Sequence, residues 1–186
     1  KLFYEAIGPE YIVGLNVATR PDCLPEEVIA LLKELNAIKP VTVELGLQTA
    51  DDRVGAYINR GYETEVYRDA VLRLKEAGLE IVTHIIIGLP KDDPLATTAF
   101  AVACGTDGVK FHLLHILKHT RLAVEYEAGR VQALSLEDYA KLLKECIRIL
   151  PPHIVVHRIT GDGAKRDLIA PLWSADKKKT LNYLNS

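Results

Sequence analysis

The sequence predicts an α/β protein built on a parallel sheet. Short apolar runs alternate with stretches of helical period along the chain. Runs such as IVTHIII, residues 81–87, are almost continuously apolar, which suits strands covered by helices. Polar residues capable of chemistry collect where those runs end, the place where parallel α/β folds carry their sites.

Taken in order, Tyr11 to Thr19 reads as the first strand, rich in β-branched residues and ended by Pro21 and Pro25. Pro25 suits the first turn of a helix that reaches about Leu35, with Val28, Leu31, Leu32 and Leu35 on one stripe. Pro40 stops the connection, and Val41 to Leu47 is the second strand. A short helix is expected from Asp51 to Asn59 with Gly61 as its C-cap, then a helix capped by Thr64 and ended at Gly78. Glu80 to Ile87 is the third strand, closed by Gly88-Leu89-Pro90. Asp93-Pro94 opens a helix that Gly105 ends, and Gly108 to Leu114 is the fourth strand. Ser135 with Asp138 three residues on opens a helix from Leu136 to Leu150, broken by Pro151-Pro152. Ile154 to Ile159 is the fifth strand. The expected organisation is one domain over residues 1–159 with a packed tail over 160–186. A complete eight-stranded barrel needs about 250 residues, so five strands leave an open flavodoxin-like sheet or a piece of a barrel.

Composition narrows the function classes. The chain has 186 residues, 48% hydrophobic and 26% charged, as in ordinary globular domains. A net charge of −2 gives no global field for nucleic acid, although a local basic groove remains open. No apolar run approaches the ~18 residues a membrane span needs. Lys1 to Glu5 reads as a helix end rather than a signal peptide. Cys23, Cys104 and Cys146 are far apart and form no C-x-x-C pair, so the expectation is buried thiols in a reducing cytoplasm and no metal site.

Five strand ends carry polar groups: Thr19-Arg20-Pro21-Asp22; Glu44, Gln48 and Thr49; His84 with Gly88; Lys110, His112, His115 and Lys118; and His157, Arg158, Thr160 and Asp162. Glu44, His84 and His112 sit among apolar neighbours, and period-two alternation sends each toward one face of the sheet. A polar group there needs a partner or a ligand. Three other readings were open: a metal site at His112, His115 and His119, a phosphate cradle at Thr160 to Gly163, and an amine nucleophile at Lys110 or Lys118.

The stretch VELGLQTADDRVGAYINRGYE (Val43 to Glu63) resembles the fourth strand and following helix of radical S-adenosylmethionine (SAM) enzymes. HIIIGLP (His84 to Pro90) resembles their fifth strand, and ATRPDCL (Ala18 to Leu24) the end of their third. With KFHLLHILKHT and HRITGDG in the same order, the chain is most similar to the YhcC-type group of that family. The Elongator catalytic subunit, which modifies wobble uridine in tRNA, and oxygen-independent coproporphyrinogen oxidase show related patterns.

This resemblance implies the C-terminal portion of a partial (βα)6 TIM-like barrel, with helices on the outer face. It implies SAM and a [4Fe–4S] cluster as cofactors and reductive cleavage of SAM to a 5′-deoxyadenosyl radical. The substrate is unknown, an anionic small molecule or RNA, and the electron donor is a flavodoxin or ferredoxin. The cysteine loop that holds the cluster has no counterpart in this sequence, so an inactive fragment is expected, with its non-redox alternative a nucleotide- or phosphate-binding module. Carried over by position, Gln48 is a polar SAM contact, Arg60 pairs with the SAM carboxylate, and His84 stands where relatives reach the ribose. Ile87-Gly88-Leu89 lines the adenine. Glu44 and Arg20 complete the cofactor-binding candidates. Lys110, His112, Lys118 and Arg158 are the substrate-side candidates, and no residue is singled out as catalytic. Two departures stand out: Lys91-Asp92 replaces the usual Gly-Glu after G-L-P, and His119 stands where glycine is common.

Overall fold

The structure, a computed structural model, describes residues 12–161 and 163–185. The first strand, β1 (Leu15–Thr19), is shorter than expected; Tyr11 and the Lys1–Glu5 stretch lie outside the described residues. A 3-10 turn over Pro21–Cys23 leads to α1 (Glu26–Asn36), and β2 (Val41–Gln48) follows. Then come α2 (Asp52–Tyr57), α3 (Thr64–Glu76), β3 (Glu80–Ile87), α4 (Pro94–Cys104) and β4 (Gly108–Leu113). Beyond β4 the chain forms β5 (Ile116–Leu117), α5 (Arg121–Glu127), α6 (Leu136–Arg148) and β6 (Val155–Arg158). It ends in β7 (Leu168–Ala170), a 3-10 turn and α7 (Lys177–Leu184).

β1, β2, β3, β4 and β6 form one parallel sheet in that order, as expected for successive βα units. Alternation divides its two faces. Val43, Leu45, Leu47, Ile81, Ile85, Ile87, Val109 and Phe111 are fully buried against α1, α3, α4 and α6 in a single core. Burying each such side chain contributes about 1.5–3 kcal/mol. The intervening residues Glu44, Gly46, Gln48, His84, Ile86, Lys110 and His112 are half-buried on the other face. The helices therefore cover one face, as in a piece of a barrel.

A chain of hydroxyls fixes β3 between its neighbours. Tyr67 on α3 donates to Thr83 (2.6 Å), Thr83 to Thr106 (2.8 Å), and Thr106 to the Gly108 carbonyl (2.8 Å). All three side chains are buried, so each hydroxyl needs the partner it has.

The capping signals held at some ends and moved at others. Asp93 accepts from Leu95 and Ala96 at the start of α4, and Gly105 ends it with φ +99°. Ser135 caps α6. Asn59 (φ +57°), not Gly61, takes the left-handed position after α2. Thr64 does not cap α3; its N–H and hydroxyl both turn to the Asp52 carboxylate. The β5–β7 ribbon, which pairs Ile116 with Ala170, and helix α5 were not expected. Two- and three-residue strands carry no readable period.

The two departures from the family pattern share one backbone property: Lys91 and His119 both have φ +62°. A side chain in that region costs about 1–2 kcal/mol, and glycine avoids it while losing up to about 1 kcal/mol through its freer unfolded state. Lys91→Gly and His119→Gly should each therefore raise stability by about 0.5–1 kcal/mol. Urea midpoints of the single variants measure this, and a loss of stability in both would show that their side chains make compensating contacts.

Candidate cofactor cleft and polar inner face

At the C-terminal ends of the strands lies an open cleft of about 740 Å³, within the range of small-molecule sites. Arg20 after β1, Gln48 at the end of β2 and Tyr62 form its polar side. Ile86 of β3, Leu89 and Leu114 form its apolar side, with Arg121 and Glu125 of α5 at the rim.

Gln48 is held in an unusual way. Its backbone has φ +63° at a bulge in the β2–β3 pairing, a strain of about 1–2 kcal/mol for a side chain of this kind. A Cβ on Gly46 would collide with its amide, so the fold keeps glycine there. The Tyr62 hydroxyl lies 2.5 Å from the Gly46 carbonyl and 2.9 Å from the Gln48 amide. It has one proton. The hydroxyl is shared between the Gly46 carbonyl and Gln48 Oε1, and the Gln48 NH₂ is left as a donor.

Arg60 is buried, with its side chain 2% exposed. The guanidinium's five donors all find protein acceptors. Nε donates to Tyr62 O (2.8 Å), Nη1 to Leu47 O (3.3 Å) and Thr49 O (2.6 Å), and Nη2 to Asp52 (2.7 Å) and the Thr64 hydroxyl (3.3 Å). Gly55 clears its path, since a Cβ there would lie 2.9 Å from Arg60 Cζ. Burial raises the Asp52 carboxyl, but hydrogen bonds from Thr64 and Arg60 outweigh it and hold the group low. Arg60 touches the cleft wall, yet no N–H remains for a ligand carboxylate. The expected pairing with SAM gives way to a staple joining β2, α2 and Tyr62. Arg20 keeps spare capacity: Asp22 takes Nε (2.9 Å) and Nη2 (2.7 Å), and Nη1 has no acceptor among the described residues.

His84 does not reach the cleft. It lies two residues below Ile86, about 7 Å along the strand, and belongs to a second group on the same face. Glu44 accepts from Lys110 (2.6 Å) and from His84 Nε2 (2.8 Å). Burial pushes the Glu44 carboxyl up, but those two bonds prevail and hold it below its usual range. The His84 ring faces that of His112 at 4.9 Å between centroids. Burial, then the nearby cations, keep His84 below the usual imidazole range despite Glu44, so their contact is a neutral N–H donating to a carboxylate. Burial takes His112 further, to about 4, and its Nε2 is buried without a partner among the described residues. Arg158 faces both imidazoles and lowers both.

The other candidates fall elsewhere. Ile86, not Ile87, lines the cleft, because Ile87 alternates into the helix-covered core. Gly88 (φ +101°) makes the turn beneath Leu134. Lys118 leaves the inner face and donates to Arg166 O (3.2 Å) beside the β5–β7 ribbon. Gly161 and Gly163 pack on the His112 and His115 rings, and β7 rather than a helix follows them, so no helix N-terminus completes a phosphate cradle; Asp162 lies outside the described residues. Among the described residues no group of three metal-ligating side chains occurs. Cys146 is buried, its thiol pushed up to about 11 by burial, whereas Cys23 is exposed rather than buried. No helix of the described residues is long and apolar enough to cross a membrane. Tyr62, Asp52 and Arg121 were missed; the spacing of Tyr62 within INRGY was the one available signal.

Comparison with known proteins decides the family. A profile of the Radical SAM superfamily matches residues 4–100, and one of the Radical_SAM C-terminal domain matches 106–186. The chain belongs to the radical SAM superfamily. It is 42% identical to the uncharacterized protein YtqA of Bacillus subtilis over 186 residues, covering 98% of this chain and 58% of that one. It is 39% identical to protein YhcC of Escherichia coli K12 over 180 residues, covering 95% and 58%. The chain thus spans somewhat over half the length of these relatives. A solved archaeal Elp3 from Methanocaldococcus infernus superposes with a TM-score of 0.75 at 21% identity, covering 93% of this chain and 42% of that one.

For this radical SAM chain the cleft suits SAM: an apolar wall for a purine, an amide NH₂ and a guanidinium with a free edge. The cluster finds no ligand set among the described residues, with the three thiols apart and unpaired.

Two outcomes follow. Arg60→Ala should cost about 3 kcal/mol of stability, because it takes the donor from three carbonyls, while Asp52, half exposed, keeps Thr64. Arg60→Lys should recover little, since one ammonium cannot span the fork; full recovery in urea melts would make the charge alone sufficient. His112, depressed when folded, favours the neutral form. Its contribution is complete above its ordinary value of 6.5 and is lost as pH falls toward about 4. Between pH of about 7 and about 4.5, His112→Phe should lose less stability than the parent chain, and equal losses would place the titration elsewhere.

Proposed function

We propose that this chain is the SAM-holding part of a radical SAM enzyme whose substrate is anionic, with RNA the first candidate. The observation that carries the reading is Gln48, a strained side chain aimed by Tyr62 into a nucleoside-sized cleft at the strand ends. Strain of this kind persists where the surroundings enforce it, and it marks sites of function. In this reading the purine lies against Ile86, Leu89 and Leu114, Gln48 donates to the ligand through its NH₂, and Arg20 offers Nη1 to the carboxylate. Bound SAM supplies, on one-electron reduction by a flavodoxin- or ferredoxin-like donor, the 5′-deoxyadenosyl radical that takes hydrogen from the substrate. Free thiols at all three cysteines support a reducing, cytoplasmic setting.

The RNA assignment draws on a relative named tRNA uridine(34) acetyltransferase, from Dehalococcoides mccartyi, 26% identical over 175 residues and covering 91% of this chain and 36% of that one. Lys110 and Arg158 on the inner face are the groups that would meet an anionic substrate.

The test uses the full-length protein, reconstituted anaerobically with iron and sulfide and reduced with dithionite. 5′-Deoxyadenosine should accumulate from SAM. SAM binding without cleavage would favour a non-redox nucleotide-binding module, and neither binding nor cleavage would refute both. Gln48→Leu should weaken SAM binding by about 1 kcal/mol, the share of one hydrogen bond, and unchanged affinity by calorimetry would remove Gln48 from the site.

A further inference from the structure

Among the described residues the inner face carries more positive than negative charge. Lys110 of β4 and Arg158 of β6 are register partners, about 5 Å apart along the hydrogen-bonding direction. Like charges placed opposite each other on neighbouring strands destabilise a sheet. Glu44 is the acid paired on this face, and its two oxygens are already engaged by Lys110 and His84. Arg158, exposed on β6, has no protein acceptor among the described residues, so its guanidinium is open to a ligand. His112 feels its charge, and among the described residues the Nε2 of that ring is buried without a partner, an omission that folded proteins seldom tolerate without a reason. His84 and His112 are kept neutral, first by burial and then by neighbouring charges including Lys110 and Arg158, so they relieve none of the surplus.

Among the described residues, counting Lys110 and Arg158 against Glu44 leaves one positive charge. We propose that Arg158, Lys110 and His112 form an anion subsite, separate from the SAM cleft, that takes one singly charged oxyanion of the substrate. A phosphodiester or a carboxylate meets that description. The guanidinium fork matches either in a bidentate way, and the ammonium of Lys110 has N–H donors beyond the one given to Glu44. A bound oxyanion would relieve the Lys110–Arg158 repulsion. This inference rests on reading the inner face as the substrate side.

The experiment needs neither SAM nor cluster. Full-length protein with 13C-labelled histidine is titrated with dimethyl phosphate, acetate and the dinucleotide UpU at constant ionic strength, with chloride as control. The His112 and His84 ring signals should shift saturably with dimethyl phosphate or acetate and not with chloride. Arg158→Gln should weaken that binding at least tenfold, whereas Arg53→Gln, on a 92% exposed side chain away from this face, should leave it unchanged. UpU binding tighter than dimethyl phosphate identifies RNA as the source, and a preference for acetate identifies a carboxylate. Ligand-free Arg158→Gln should melt no lower than the parent, which separates loss of binding from loss of fold. An absent or non-saturable shift, an equal response to chloride, or unaltered binding in Arg158→Gln overturns the subsite. Anion binding in a full-length protein that never cleaves SAM would instead overturn the enzyme reading and leave the subsite standing.

Discussion

A β-strand can send its side chains to two faces only, and in this sheet helices claim one of them. Everything placed on Val43, Leu45, Leu47, Ile85, Ile87 and Phe111 is committed to the core. Residues one step away in sequence face the side opposite that core. That constraint gathers Glu44, Gln48, His84, Lys110 and His112 from three different strands. It also ranks them by height: Gln48 and Ile86 reach the cleft at the strand ends, while Glu44, His84 and Lys110 lie lower and pair with one another. The polar groups of this face are thereby stacked in two tiers.

The mouth of the cleft is built from interactions internal to the protein. Arg60, enclosed by carbonyls and Asp52, sets the path from β2 to Tyr62, and Tyr62 in turn sets the Gln48 amide. Such an arrangement is preorganised: the groups that would meet a ligand are held before it arrives, so little ordering entropy opposes binding.

Much of the fold was legible in the sequence because its signals are local. Glu80 to Ile87 is bounded by glycine-containing turns and filled with β-branched residues, and the strand has those limits in the structure. Asp93-Pro94 and Ser135 are caps that act within four residues of themselves. The ribbon of Ile116–Leu117 with Leu168–Ala170 was not legible, because its pairing spans some fifty residues and neither strand is long enough to alternate. In the site, alternation foretold the shared face of Glu44, His84 and His112. It could not tell whether Arg60 meets a ligand or its own backbone. That depends on Gly55 and Asp52 leaving and filling space around one guanidinium, which spacing does not encode. Lys118 failed for a similar reason: the strand ends at Leu113, and alternation has no meaning beyond it.

The hydroxyl chain from Tyr67 through Thr83 and Thr106 to the Gly108 carbonyl has a direction. Each oxygen passes its proton contact onward, and the terminal carbonyl can only accept, so no member can reverse by itself. The three hydroxyls therefore behave as one inherited unit spanning a helix, a strand and a loop. Phenylalanine at 67 would take away only the head of the chain, leaving Thr83 bonded to Thr106 and Thr106 to the Gly108 carbonyl. Valine at 106 would instead cut the chain at its anchor and leave the hydroxyls above it with nowhere to point.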